Sequence, residues 1–514
     1  MNNSPSNSQW LLRAVVGTAL VRLFSLPLYP LMDTTEARYA EISRKMLELG
    51  DWVTPWFDYG TPFWGKPPLS FWMTAASFKL FGASEFSARL PHWLAGMLAA
   101  WLIWDLAKRH ASAREASYAL ALTLGAFVFY VAAGAVMTDM ALLLGTVLTL
   151  RGFWLGLHGT VDVARRERWL LFVGIAIGLL AKGPLVIVLV LVPIVVWSLA
   201  TRQWSIVWKQ LPWCRGLIVT LFIAMPWYVL AELKTPGFLE YFLVGEHWNR
   251  FLEPGWQGDL YGSAHERPPG TIWLYAFVAL LPWTLLLPAT ALLLRKSLSP
   301  RRNAMERQWR LYLLCWGLTP CVFFAAARNI LPAYVLPAVP ALALWGASHL
   351  IEYSNHRRVE RVLTGGLVAS IAALAITVSG LHVFGLDEQR SAKALISDYR
   401  ASQVQNEPLL VLGRRTFSAE FYGAGDTEPV PDSDALIDRL GVHPVFLAIR
   451  TTAVDSLPSE LVRSLTPVSR RGNFVLFCTI CGNRPSRRSA TANVGSLRGD
   501  FQSSKDLNRT FGHE

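Results

Sequence analysis

Leu31–Leu80, LMDTTEARYAEISRKMLELGDWVTPWFDYGTPFWGKPPLSFWMTAASFKL, decides how the rest of the chain is read. Asp33, Glu36, Arg38, Glu41, Lys45 and Lys66 fall there between two strongly apolar segments. Ionisable groups in or beside lipid are expensive and mark functional sites. Glu36 to Leu49 places Ala37, Ala40, Ile42, Met46, Leu47 and Leu49 at helical spacing against Arg38, Glu41, Arg44, Lys45 and Glu48. This predicts a short amphipathic helix, capped by Thr34 or Thr35 and stopped by Gly50. Lys66-Pro67-Pro68 opens a second helix, Leu69 to Leu80, with its prolines in the first turn where a missing N–H costs little. Two helices lying at a membrane interface are expected between the first two spans.

Working outward, 514 residues that are 53% hydrophobic and 16% charged, with 22 tryptophans, are too apolar for a soluble fold of this length. Apolar runs long enough to cross roughly 30 Å of hydrocarbon recur from Trp10 to about His382. About eleven spans are expected, near 10–28, 85–107, 113–133, 137–157, 168–181, 183–200, 214–231, 271–294, 308–326, 330–350 and 361–383. The net charge of +12 does not point to nucleic acid, because the basic residues sit in short connectors. Connectors around Lys108 and Arg109, Arg165 to Arg168, Arg202 to Arg215, Arg295 to Arg310, and Arg357 to Arg361 alternate with poorly basic ones, and the positive-inside rule turns these five to the cytoplasm. The N-terminus is then inside, and loops 29–84 and 232–270 and everything after about Leu386 share the outer face. The first apolar run carries Arg13 and Arg22 and lacks a small-residue cleavage site, so it reads as a retained helix.

The hydrophobic period changes after the last span. LLVLG at 409–413, PVFLAI at 444–449 and FVLFC at 474–478 read as buried strands of a small α/β domain, 385–482. The polar stretch 483–514 reads as a mobile tail. Cys214, Cys315 and Cys321 suit small buried hydrophobes, while Cys478 and Cys481 are either a local disulfide or free thiols. No repeat of fixed period is visible.

Asp33 and Glu36 can point at one place above the membrane as general base or nucleophile-orienting pair, or simply complement the helix N-terminus. Asp139, alone in GAVMTDMALLLG, reads as a further carboxylate on the same face or as part of a helix cap with Thr138. Lys182 in LLAKGPLV and Lys66 suit a phosphate, with Arg22 or Arg328 adding to it; each can instead snorkel toward lipid headgroups, the stronger expectation for Arg22. Loop 232–270 carries Glu246, His247, Asp259, His265 and Glu266, open to substrate contacts or a divalent metal ion, with His265 as candidate ligand.

In combination and order, EARYAEISRKMLELGDWVTP, GKPPLSFWMTAASFKLFGASEFSARLP, TDM at 138–140, AKGP at 181–184 and LPAYVLPAVPALAL at 331–344 resemble the polyprenyl-phosphate-dependent glycosyltransferases of the GT-C type. The pattern is most similar to the bacterial lipid A aminoarabinose transferases and more distantly to protein O-mannosyltransferases, over roughly residues 20–350. The resemblance implies a polytopic α-helical GT-C domain, 1–384, in the bacterial inner membrane, with a periplasmic site and a sugar donor on undecaprenyl phosphate. It implies catalytic roles for Asp33, Glu36 and Asp139. Carrier-phosphate binding is expected of Lys66, Lys182, Arg38 and Arg328, and substrate contacts of Tyr39, Glu246, His247 and Tyr334. Thr35 stands where relatives carry aspartate, with Asp33 as its substitute; Gly65 replaces a glutamate and Ile330 a lysine, departures that bear on the metal and on the sugar.

The expected activity is transfer of a sugar, an amino sugar by resemblance, to lipid A or another glycolipid of the lipopolysaccharide, by a monomer. A protein or polysaccharide glycosyltransferase is the alternative within enzymes. A lipid-carrier flippase is the alternative outside them, but it predicts charges strung along the membrane midplane rather than gathered at one face.

Overall fold

The computed structural model describes residues 7–253, 255–262, 266–293, 303–353, 355–403, 407–413, 415–440, 445–454, 457–458, 461 and 465–479. The chain forms two compact units: Met1–Leu28 with Ile42–Ile376, and Tyr29–Glu41 with Thr377–Glu514.

The first unit is helical, and every expected apolar run is occupied by a helix or a helix pair. Three of them depart from simple spans. The run 113–133 divides into Ala113–Gly125 and Phe127–Ala132 because Ala126 is extended. The run 271–294 is a pair, Thr271–Ala279 and Trp283–Leu293, bent by 74°. The run 330–350 begins as a 3-10 helix, Pro332–Ala338, before Val339–Leu350, since Pro332, Pro337 and Pro340 each withhold an amide from an α-helical ladder.

Among the described residues, four helices are long and apolar enough to cross a membrane, or five with the bent pair taken as one span. Several other long helices carry charges that find partners inside the bundle. Arg151 pairs with Glu167 and, at 2.5 Å, with Asp105, and Arg310 pairs with Glu352 at 2.6 Å. Arg22, for which snorkelling was the stronger expectation, is buried instead. It donates to the carbonyls of Tyr130 at 2.8 Å and Val131 at 3.1 Å and to Ser25 at 2.7 Å. Those carbonyls stand in the last turn of a short helix, where carbonyls run short of intrahelical partners and a guanidinium fork can reach two of them.

Asp139–His158 and Val161–Lys182 form the hairpin that positions the site. Glycines let the two backbones touch: a Cβ on Gly145 would lie 2.7 Å from the Gly178 nitrogen, and one on Gly174 would lie 2.6 Å from the Thr149 nitrogen. Because the helices are antiparallel and joined only by Gly159 and Thr160, Asp139 at the start of one and Lys182 at the end of the other share one end of the hairpin.

The second unit carries a five-stranded sheet. Its strands are β1 (Leu409–Leu412), β2 (Thr427–Val430), β3 (Phe446–Arg450), β4 (Thr466–Arg471) and β5 (Phe474–Cys478), in the order β2-β1-β3-β5-β4. β2, β1 and β3 are parallel; β3, β5 and β4 are antiparallel. The three expected strands are the central ones, buried on both faces. The two edge strands, TEPV and TPVSRR, were not expected because proline and charge mask their signal, both of which edges tolerate. Lys393–Ser402 and Phe417–Gly423 cover one face, with Tyr399, Ala419 and Leu476 in the shared core. The unit begins before the expected boundary, at Thr377, and takes in Tyr29–Glu41. Cys478 is disulfide-bonded; Cys481 and the expected tail 483–514 lie outside the described residues.

Candidate functional site

In the first unit, Lys182 and Asp139 meet across the mouth of the helix hairpin, Nζ to Oδ1 at 2.6 Å, both side chains largely buried. Lys182 ends its helix because Gly183, at φ 79°, turns the chain, and its ammonium lies 4.6 Å from the centre of the Tyr334 ring. An ammonium over an aromatic face is attracted by the ring quadrupole. Tyr334 is held there by the 3-10 turn of Pro332–Ala338.

Loop 232–270 supplies the other side. Glu240–Asn249 is a π-helix, and Arg250 follows it directly as the first residue of the helical turn Arg250–Leu252, where it pairs with Glu246 four residues back. Glu246 accepts from Lys66 at 2.8 Å and from Arg250 at 2.9 and 3.2 Å. Arg250 also reaches Asp259 at 3.3 Å. Burial alone would raise the Glu246 carboxyl, but Lys66 and Arg250 overcome it and hold the group at about 2. Glu246 is therefore a fixed anion. Lys66 also donates to the carbonyl of Gly65.

His247 sits between two carbonyls, Nδ1 to Phe242 at 2.7 Å and Nε2 to Lys182 at 3.2 Å. Burial lowers its pKa, so it is neutral and has one N–H for two acceptors. It braces the Lys182–Gly183 turn from behind. Asn329 fixes Arg250 by donating to its carbonyl at 2.7 Å. Arg328 is half exposed, and its described ion pair is with Glu266 at 3.7 Å; no described contact joins it to Lys66 or Lys182.

Lys66, Lys182, Arg250, Asp139, Glu246 and Asp259 thus make three cations matched by three carboxylates, with Lys182 over Tyr334 and joined to the Glu246 segment through His247. Lys66 and Arg250, with 20% and 21% of their side chains accessible, face outward more than Lys182 at 10%. Such an arrangement presents cations in fixed places to an arriving phosphate. Reading the sequence identified Lys66, Asp139, Lys182, Glu246, His247 and Tyr334, but missed Arg250 and Asn329. Arg250 stands four residues after Glu246, a spacing at which charges pair on a helix, and that was the available signal.

Asp33, Glu36, Arg38 and Tyr39 belong to the second unit. Glu36 lies in the first turn of Thr35–Leu49. The Arg38 guanidinium stacks 5.4 Å from the Tyr39 ring and 5.9 Å from the Phe417 ring. Asp33 accepts from the Ser418 amide at 3.0 Å and from its hydroxyl at 2.5 Å, and burial raises its pKa despite those bonds. His265, the candidate metal ligand, lies outside the described residues. Among the described residues no group of three or more His, Cys, Asp or Glu could hold a metal ion.

Residues 27–242 match the family model of dolichyl-phosphate-mannose-protein mannosyltransferases. The undecaprenyl phosphate-alpha-4-amino-4-deoxy-L-arabinose arabinosyl transferase of Edwardsiella ictaluri is 30% identical over 398 residues, 74% of this chain and 68% of that protein. The corresponding protein of Erwinia tasmaniensis is 31% identical, over 66% of this chain and 58% of that one. This chain thus spans roughly two thirds of such relatives or somewhat less. The crystal structure of ArnT from Cupriavidus metallidurans bound to undecaprenyl phosphate superposes with a TM-score of 0.75 over 92% of this chain and 99% of that one, at 22% identity, so the two share a fold. On these grounds the chain belongs to the undecaprenyl phosphate-alpha-4-amino-4-deoxy-L-arabinose arabinosyl transferase family of membrane glycosyltransferases.

Proposed function

We propose that this protein transfers an amino sugar of the aminoarabinose class from undecaprenyl phosphate to lipid A or another glycolipid, as a monomer at the periplasmic face of the inner membrane. The observation that carries the reading is the set of Lys66, Arg250 and Lys182, each fixed by a carboxylate, with Lys182 linked to the Glu246 segment through His247. In this reaction the acceptor oxygen attacks the anomeric carbon, and the bond from that carbon to the phosphate oxygen breaks. The phosphate leaves with the electron pair and gains negative charge. Lys66 and Arg250, the outward-facing cations, bind that phosphate; Lys182 adds charge from beneath. Cations already in place stabilise developing charge without reorganising.

Asp139 first holds Lys182. If the acceptor is a hydroxyl, Asp139 takes its proton; if it is a lipid A phosphate, already anionic, placement does most of the work. The outer-face assignment is supported by the basic connectors, which fall at the opposite ends of the spans from Asp139 and Lys182. The C-terminus is periplasmic in this proposal.

Mass spectrometry of lipid A from cells with and without the protein tests it. A mass difference the size of an aminopentose is expected. Unchanged lipid A, with a glycan lost from proteins or polysaccharide instead, would move the acceptor to the class named by the mannosyltransferase family match.

A further inference from the structure

The C-terminal unit is more than an appendage, because it grips the segment that leads into the EARY motif. Leu31 donates its amide to the Tyr422 hydroxyl at 2.8 Å, and Asp33 donates its amide to the Arg390 carbonyl at 2.8 Å. The Asp33 carboxylate then accepts twice from Ser418, amide to Oδ1 at 3.0 Å and hydroxyl to Oδ2 at 2.5 Å. The Ser418 hydroxyl is itself fixed by the Ala392 amide at 2.9 Å. Ser418 is fully buried and lies 385 residues from Asp33. Two residues after this clasp the helix Thr35–Leu49 begins, and its first turns carry Glu36, Arg38 and Tyr39. Arg38 stacks against Phe417, the neighbour of Ser418.

From this geometry we infer that Ser418 is a positioning residue for the carrier-binding motif, and that Asp33 is the handle it holds rather than the base of the reaction. A base needs an oxygen directed at substrate, and both Asp33 oxygens are engaged by Ser418. Substitution of the family's acidic position by Thr35, with Asp33 two residues earlier, is then not a relocated catalytic acid. Within the second unit Asp33 ties residues 29–41 to the C-terminal part of the chain, so the position of Glu36, Arg38 and Tyr39 depends on residues that lie more than 300 positions later.

The inference rests on the transferase reading for its consequence but not for its geometry, and the test separates the two. The full-length protein carrying Ser418→Ala, Asp33→Asn, both together, or Ser418→Thr is purified in detergent. Steady-state transfer is measured with an undecaprenyl-phosphate sugar, and hydrogen exchange is followed in peptides covering 31–39. A clasp predicts that Ser418→Ala and Asp33→Asn each raise the KM for the carrier about tenfold, the scale of one lost hydrogen bond to a charged group. The double variant should be no worse than either single one, Ser418→Thr should restore binding, and the acid limb of the kcat profile should persist in Asp33→Asn. Exchange in 31–39 should rise in both single variants.

The inference is overturned if Asp33→Asn alone abolishes kcat and its acid limb while Ser418→Ala behaves as wild type, which would make Asp33 the base. It is equally overturned if exchange in 31–39 is unchanged in Ser418→Ala. Should Ser418→Ala fail to fold, Tyr422→Phe, which removes the Leu31 contact, provides the same exchange readout. Inactive wild type with raised exchange in the variants would count against the transferase reading and leave the clasp standing.

Discussion

Two buried carboxylates in this molecule live under opposite rules. Glu246 is surrounded by cations, Lys66 at 2.8 Å and Arg250 at 2.9 Å, and its pKa falls to about 2. Asp33 is held by the neutral amide and hydroxyl of Ser418, and burial raises its pKa. The difference teaches what each is for. A carboxylate that neutralises cations fixes them for an incoming anion, whereas one held by neutral donors is an attachment whose charge is a cost rather than a tool.

The largest expected effect comes from breaking the buried ion pair at the mouth of the helix hairpin. Lys182→Met leaves Asp139 buried beside no cation, a change that costs about 3–5 kcal/mol in buried pairs. Transfer should fall at least a hundredfold and the detergent-solubilised protein should melt earlier; wild-type transfer would remove Lys182 from the site. Glu246→Gln comes next. It frees Lys66 and Arg250 from their shared anchor, and transfer should drop about tenfold as the cations lose their fixed places. Measured carrier binding and turnover both at wild-type level would mean the anchor is dispensable.

Acid sharpens the contrast through sign. The folded pKa of Glu246 is depressed, so its stabilisation is fully present above the unfolded value near 4.5 and is lost as pH falls toward about 2. Asp33 is raised from 3.8 by burial, so protonation favours the folded state, and that contribution to stability is lost as pH climbs from 3.8 through the raised value. Hydrogen exchange corrected for intrinsic rate should therefore show 241–250 loosening below pH 4.5 while 31–39 tightens as pH falls toward 4. Parallel responses in the two peptides would break the comparison. The smallest effect belongs to Arg328→Ala. Its half-exposed pair with Glu266 at 3.7 Å is worth under about 1 kcal/mol, and transfer should stay within about twofold; a large loss would return Arg328 to the carrier site.

Much of this was legible in the chain and some was not. The amphipathic helix at Thr35–Leu49, the second helix at Leu69–Phe81 and the three central strands follow from local period and composition. Lys66, Asp139 and Lys182 stood out because a lone charge in an apolar run is conspicuous. Their partners were not legible. The Lys182–Asp139 pair spans 43 residues and the Lys66–Glu246 pair 180, and no periodicity connects positions so far apart. The π-helix Glu240–Asn249 that carries Glu246 has no compositional mark, and Ser418 looks like any small residue opening a helix.

By itself the sequence determined where the chain is helical, where it is extended, and which ionisable groups could not be incidental, because burial of apolar surface and the cost of charge in lipid act on each segment locally. Only the tertiary structure decided which charge meets which. An ion pair or hydrogen bond acts over a few ångströms, and the packing of distant helices alone brings Glu246 between Lys66 and Arg250, and Ser418 onto Asp33.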